Sequence, residues 1–266
     1  MYKRQAQYSH TDSVVAELFP ESHSVTYFAQ IEDVFAAISE GRFTDGVVPF
    51  ENSTHGSVLA TLEALFRYPD VNIIDSFTKT IEQHLLGLPE TNLKNISAVF
   101  SHPQALAQSR DWLAANIPKV QKVSARSTAL AAERLLSRQN LAQAVIGSEA
   151  LATGLGLKVL ARDLAPAGNK TRFIRLSKAA VPLESKYLSL VFWFGEDQAG
   201  SLASVLEFLA SNDINLTKLD SRRSLEVAGN YLFFIDAQVS LLDFEAHAQK
   251  FATLVEGYRI LGSFDR

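Results

Sequence analysis

Residues 47–58 read VVPFENSTHGSV. A β-branched apolar run ends in a small polar turn and gives way to SVLATLEALFRY, whose apolar residues recur at spacings of three and four. The same succession returns in AVFSHPQALAQ, residues 98–108, and in AVIGSEALATG, residues 144–154. Strand, polar turn and helix repeated in this way predict an α/β unit with a largely parallel sheet. In such a sheet these turns lie at the carboxyl ends of the strands, where ligands bind. Further strands are expected in SVTYF, VNIIDSF, VQKV and TRFIRL, and one unbroken helix across PQALAQSRDWLAAN.

The order changes beyond SKAAVPLESK, residues 177–186, which reads as a linker. The remaining segments predict strand, helix, two strands, helix and strand. That is a ferredoxin-like βαββαβ unit, with one helix spanning LLDFEAHAQKFATLVE. At the other end, MYKRQAQYSHTD places Ser9 and Asp12 at capping-box spacing. The chain is therefore expected to open directly on a helix, without a preceding strand.

The net charge of -4 and pI near 5.9 provide no basic field for nucleic acid or an anionic membrane surface, so neither partner is expected. No apolar run has the length of a membrane span. The chain has no cysteine, which excludes disulfides and thiolate chemistry and agrees with a cytoplasmic location. The six histidines show no HxxxH or HExxH spacing, and there is no P-loop, GxGxxG or GxSxG pattern. Neither a metal nor a nucleotide cofactor is expected.

An anionic small molecule must then be held locally, and helix starts suit that task because their backbone N–H groups point outward. In SHPQ, Ser101 is expected to cap its helix, with Gln104 three residues later. Glu51, Asn52, Gln108 and Thr171 are polar groups beyond what capping requires, although Gln108 taken alone is a solvated helix residue. In GNKTRFIRL, residues 168–176, strand alternation puts Thr171 and Arg172 on opposite faces. Arg172 is open to two readings, a bidentate carboxylate partner or a structural ion pair.

These motifs, in this order, resemble the prephenate dehydratase family with a C-terminal ACT regulatory domain. The carriers are YSH at 8–10, GVVPFENSTHGSV at 46–58, SHPQALAQ at 101–108, GSEALATGLGLKVL at 147–160 and NKTRFIRL at 169–176. The resemblance implies decarboxylating dehydration of prephenate to phenylpyruvate, without a cofactor. It implies a catalytic domain over residues 1–178, with two lobes resembling periplasmic-binding-protein-like α/β subdomains. These lobes cover about 1–80 plus 165–178, and 81–164, and the family's opening strand is expected to be missing. An ACT domain is implied over residues 186–266.

By resemblance the catalytic group is Thr171, assisted by Asn52, Ser101, Gln108 and Glu51. Arg172, Phe173, Ser9 and Ser148 are expected at the substrate. Phenylalanine is the expected effector, at Gly200, Ser201, Leu202, Asn215, Asp220, Ser221 and Arg222. Ser201, Ala203, Asp220 and Arg223 depart from the family's effector motifs. A homodimer or homotetramer is implied as well. An arogenate dehydratase and a non-catalytic carboxylate or amino-acid sensor are the alternatives.

Overall fold

The computed structural model describes residues 2–4, 9–19, 25–165, 168–196, 198–223 and 231–265. Tyr8, part of the YSH motif, lies outside them. Two compact units result, one from residues 1–30, 51–56 and 78–173, the other from 31–50, 57–77 and 174–266.

A five-stranded sheet organises the first unit, in the order Lys158–Ala161, His84–Gly87, Gln143–Gly147, Ala98–Ser101, Gln121–Ser124. The last three strands are parallel, whereas His84–Gly87 runs antiparallel to both neighbours. Strand alternation splits the apolar side chains between two cores. Leu86 and Val145 join Ala132, Leu135 and Leu151 in one, while Leu85, Ala144 and Ile146 join Val99, Leu106 and Leu113 in the other. A sheet covered on both faces in this way buries its inner strands, His84–Gly87 completely and Gln143–Gly147 almost so, and each buried Leu, Ile or Val there contributes about 1.5–3 kcal/mol.

Several expectations are corrected here. A strand does precede the first helix: Tyr2–Arg4 pairs in parallel with Thr26–Phe28. Three residues with no apolar alternation carry no strand signal, yet backbone pairing suffices to form a ladder. The helix expected across PQALAQSRDWLAAN breaks at Ser109 into Pro103–Gln108 and Arg110–Asn116. Ser109 is buried at the joint, and its N–H returns to Ala105 O. The helix expected in LLDFEAHAQKFATLVE is likewise two, Leu241–Glu245 and Ala248–Ala252, on either side of His247.

In the second unit the strand order runs Asn215–Arg223, Tyr231–Gln238, Tyr187–Trp193, Gly257–Phe264, Asn72–Thr80. The first four are antiparallel, and with their helices they follow the βαββαβ order read from the sequence. Leu190, Phe192, Phe208, Phe244 and Phe251 are among the residues of their core. The division expected between residues 178 and 186 does not separate the compact units, because Gly257–Phe264 pairs in parallel with Asn72–Thr80 at Gly262 and Ile73. A Cβ at Gly262 would lie 2.0 Å from the Ile73 carbonyl oxygen, so this junction requires glycine. Arg259 supports the same place by donating to the Phe66 carbonyl at 2.9 Å, at the end of the helix Leu59–Arg67. Among the described residues, no helix is long and apolar enough to cross a membrane.

Candidate functional site

The site in the first unit is built around Asn52, the last residue of the strand Asp45–Asn52. Its Oδ1 accepts from the backbone N–H groups of Thr54 (3.0 Å) and His55 (3.2 Å), an Asx turn that fixes the following loop. The amide nitrogen must therefore face the other way. There Nδ2 donates to Thr171 Oγ1 at 2.9 Å, to Asn169 Oδ1 at 3.1 Å and to the Lys170 carbonyl at 3.1 Å. Asn52, Asn169 and Thr171 are 7%, 5% and 8% exposed, so these bonds are shielded from competing water.

The loop locks onto the neighbouring strand through its backbone. Ser53 N–H donates to Lys170 O, and Lys170 N–H to Ser53 Oγ, both at 2.9 Å. Asn169 in turn donates to Gln108 Oε1 at 3.2 Å. Gln108 thus joins the cluster rather than facing solvent, and its Nε2 is buried without a partner. His55 Nδ1 and Gln104 Nε2 approach to 3.3 Å.

Because Thr171 Oγ1 accepts from Asn52, its own proton is directed elsewhere. The arrangement offers an O–H donor among buried polar side chains. Strand alternation puts the second pair on the opposite face: Arg172 Nη2 meets Glu51 Oε2 at 3.3 Å, with Arg172 buried. Of the two readings of Arg172, the geometry supplies the ion pair.

The remaining sequence-predicted residues occupy supporting positions. Ser101 is fully buried at the end of its strand and donates to the Ile146 carbonyl at 2.8 Å. It does not cap the next helix; His102 does, its Nδ1 accepting from Gln104 N–H at 3.2 Å. Ser148 caps Glu149–Leu155 through Leu151 N–H, and Ser9 caps His10–Leu18 through Asp12 N–H. Phe173 is a core residue, 2% exposed. Asn169 went unrecognised in the sequence, although its place two residues before Thr171 puts both on one face of an extended segment.

Glu82, His84 and Glu149 are the one cluster among the described residues with metal-ligand spacing. It is already satisfied. His84 Nδ1 accepts from Asp163 N–H at 3.1 Å, leaving the proton on Nε2 toward Glu82, and Glu149 pairs with Arg162 at 2.6 Å.

His10, next to Ser9, has its pKa lowered from 6.5 to about 4, first by burial and then by the charges of Lys79 and His84. It is neutral at pH 7. The folded value lies below the unfolded one, so the associated stability is fully present above pH 6.5 and is lost as the pH falls toward 4. His10 keeps some contact with solvent, which reduces the effect to about 1–2 kcal/mol. Melting His10→Gln beside the unaltered chain at pH 7.5 and 4.5 should show the smaller acid loss in the variant.

In the second unit, Gly200, Ser201 and Leu202 line a cavity of about 150 Å³ together with Phe194, Tyr231 and Phe233. Gly200 has φ +94° and starts the helix Ser201–Ser211. Asp220 pairs with Arg222 at 3.0 Å on the outer strand, where Asn215 and Ser221 are exposed. These four residues are not part of the cavity lining.

The chain matches the prephenate dehydratase family over residues 6–181. It is 36% identical over 230 residues to a bifunctional chorismate mutase/prephenate dehydratase of Aquifex aeolicus, covering 86% of this chain. It spans only 62% of that relative's length. It is 34% identical over 221 residues to a prephenate dehydratase of Methanocaldococcus jannaschii, covering 80% of this chain and 78% of that one. A crystal structure of a prephenate dehydratase in complex with L-Phe, from Arthrobacter aurescens, superposes with a TM-score of 0.89 at 28% identity, covering 100% of this chain and 89% of that one.

Proposed function

Because the chain belongs to the prephenate dehydratase family, we propose that it converts prephenate to phenylpyruvate, CO2 and water, with feedback by phenylalanine. The observation that carries this reading is the 2.9 Å bond from Asn52 Nδ2 to Thr171 Oγ1. Prephenate loses its ring carboxylate as CO2 while the C4 hydroxyl departs. The electron pair of the breaking C–C bond enters the ring, aromatisation completes, and hydroxide leaves with one proton from solvent as water.

Hydroxide is a poor leaving group, so a donor whose bond strengthens as charge develops on that oxygen accelerates the step. Thr171 is that donor. Its hydroxyl is too weak an acid to ionise, and the Asn52 amide holds its proton toward the substrate. The Glu51–Arg172 pair holds the ends of the strands that carry these groups, and Ser101 ties the end of its own strand to the Ile146 carbonyl. Ser9, Ser148 and Phe173 support the same site from two helix caps and the core. Neutral groups predominate around Thr171, which suits decarboxylation, since tight ion pairing of the ring carboxylate would stabilise the ground state.

The C-terminal βαββαβ unit serves as an ACT domain, with the cavity at Gly200, Ser201 and Leu202 as one part of the phenylalanine site. Asn215, Asp220, Ser221 and Arg222 complete the site in a homodimer or homotetramer. Leu219, 46% exposed on the same outer strand, supports such an assembly. The test is phenylpyruvate formation from prephenate, with and without phenylalanine. Turnover that phenylalanine inhibits is expected; folded chain that forms no phenylpyruvate would overturn the reading.

A further inference from the structure

The bonds around Asn169 have directions that backbone atoms dictate. At one end, Asn52 Oδ1 is held by two N–H groups, so the Asn52 amide nitrogen faces Asn169 Oδ1. At the other, the Ile81 carbonyl can only accept, and Asn169 Nδ2 lies toward it at 3.4 Å. Both asparagine amides are therefore fixed in orientation. Gln108 has no such backbone anchor. Among the described residues its one side-chain hydrogen bond is the one its Oε1 accepts from Asn169, which leaves Nε2 buried without a partner. A buried N–H donor in that condition is costly unless an acceptor arrives.

We infer that Asn169 is a positioning residue that turns Gln108 so that its NH2 group, and not its carbonyl, is presented to an acceptor oxygen of the substrate. This rests on the reading of the site as one for prephenate, whose carboxylates and ketone supply such oxygens. One amide, Asn169, thereby sets the polarity of two others: its Oδ1 receives Asn52, which orients Thr171, and its Nδ2 orients Gln108. A hydrophobic residue of similar size could fill the space but would leave Gln108 free to present either end.

Asn169→Asp tests this. The introduced carboxylate still accepts from Asn52 but cannot donate to Gln108, whose amide reverses to place its NH2 on the carboxylate. The kcat/KM for prephenate should fall about 10- to 100-fold, mainly through KM. Gln108→Met should lose a similar amount, and the double variant little more than either, because both remove one interaction. Losses that multiply in the double variant would overturn the inference. Asn169→Ala releases Gln108 and also removes the acceptor for Asn52; should the aspartate variant fail to fold, adding Gln108→Met to Asn169→Ala should cost little beyond the loss Asn169→Ala shows alone.

An activity-independent readout separates this from the function itself. The side-chain NH2 signal of Gln108, identified by its loss in Gln108→Met, should shift in the nitrogen–proton spectrum of Asn169→Asp. A shifted signal in a chain inert toward prephenate would overturn the functional reading and uphold the control of Gln108 by Asn169. A Gln108 signal that stays in place would overturn the inference whatever the activity.

Discussion

Asn52→Asp is expected to lower kcat for prephenate by about 10²–10³-fold while leaving the fold in place. The substitution exchanges one NH2 group for an oxygen. The oxygen that accepts from Thr54 and His55 N–H remains, so the Asx turn survives. Toward Thr171, Asn169 Oδ1 and Lys170 O the side chain now presents an acceptor where it presented a donor. Of those three, Thr171 responds at least cost, by turning its hydroxyl proton to the new carboxylate, since Asn169 Nδ2 is already engaged with Gln108 and the Ile81 carbonyl. That withdraws the proton from the leaving hydroxyl. Circular dichroism and a melting curve would establish that the chain is folded, and steady-state kinetics would give kcat. An active variant would show that the orientation of Thr171 is not what Asn52 provides.

Arg172→Met is expected to act mainly on stability. Arg172 is 7% exposed and Glu51 36%, at 3.3 Å from each other. Breaking a fully buried pair costs about 3–5 kcal/mol, and partial hydration of Glu51 reduces that to about 2–3. Urea unfolding should show a lower midpoint with an unchanged slope. Arg172→Lys retains the charge and should recover part of the loss, with KM for prephenate within about threefold of the unaltered chain. A KM raised more than tenfold at unchanged stability would instead assign Arg172 to the substrate.

The fold was legible where periodicity was strong. The three strand–turn–helix units and the βαββαβ order are read directly from apolar spacing, and both are present. The strand His84–Gly87 was not read, because four consecutive buried residues show neither alternation nor a helical face. The break at Ser109 was not read either, since nothing in QSRDW interrupts the helical pattern. Compactness likewise crosses the expected linker, through a pairing between Ile73 and Gly262 that sequence spacing does not encode.

For the site, the residue types were legible and the partners were not. Asn52 and Thr171 are separated by 119 positions, and only the pairing of their strands brings them within 2.9 Å. Capping logic gave Ser9 correctly but misplaced Ser101 by one residue, because the strand continues through it and His102 supplies the cap. Gln108 read alone as a surface helix residue. The short helix Pro103–Gln108 turns it inward to Asn169.

The central claim is that an oriented hydroxyl at residue 171 drives the departure of hydroxide. The most direct measurement is kcat for prephenate in Thr171→Val and Thr171→Ser beside the unaltered chain, with the melting temperature of each. Valine keeps the shape and removes the hydroxyl, so kcat should fall on the order of 10²–10³-fold with KM little changed. Serine keeps the hydroxyl and should stay within about tenfold of the unaltered chain. A valine variant as active as the serine variant would contradict the account.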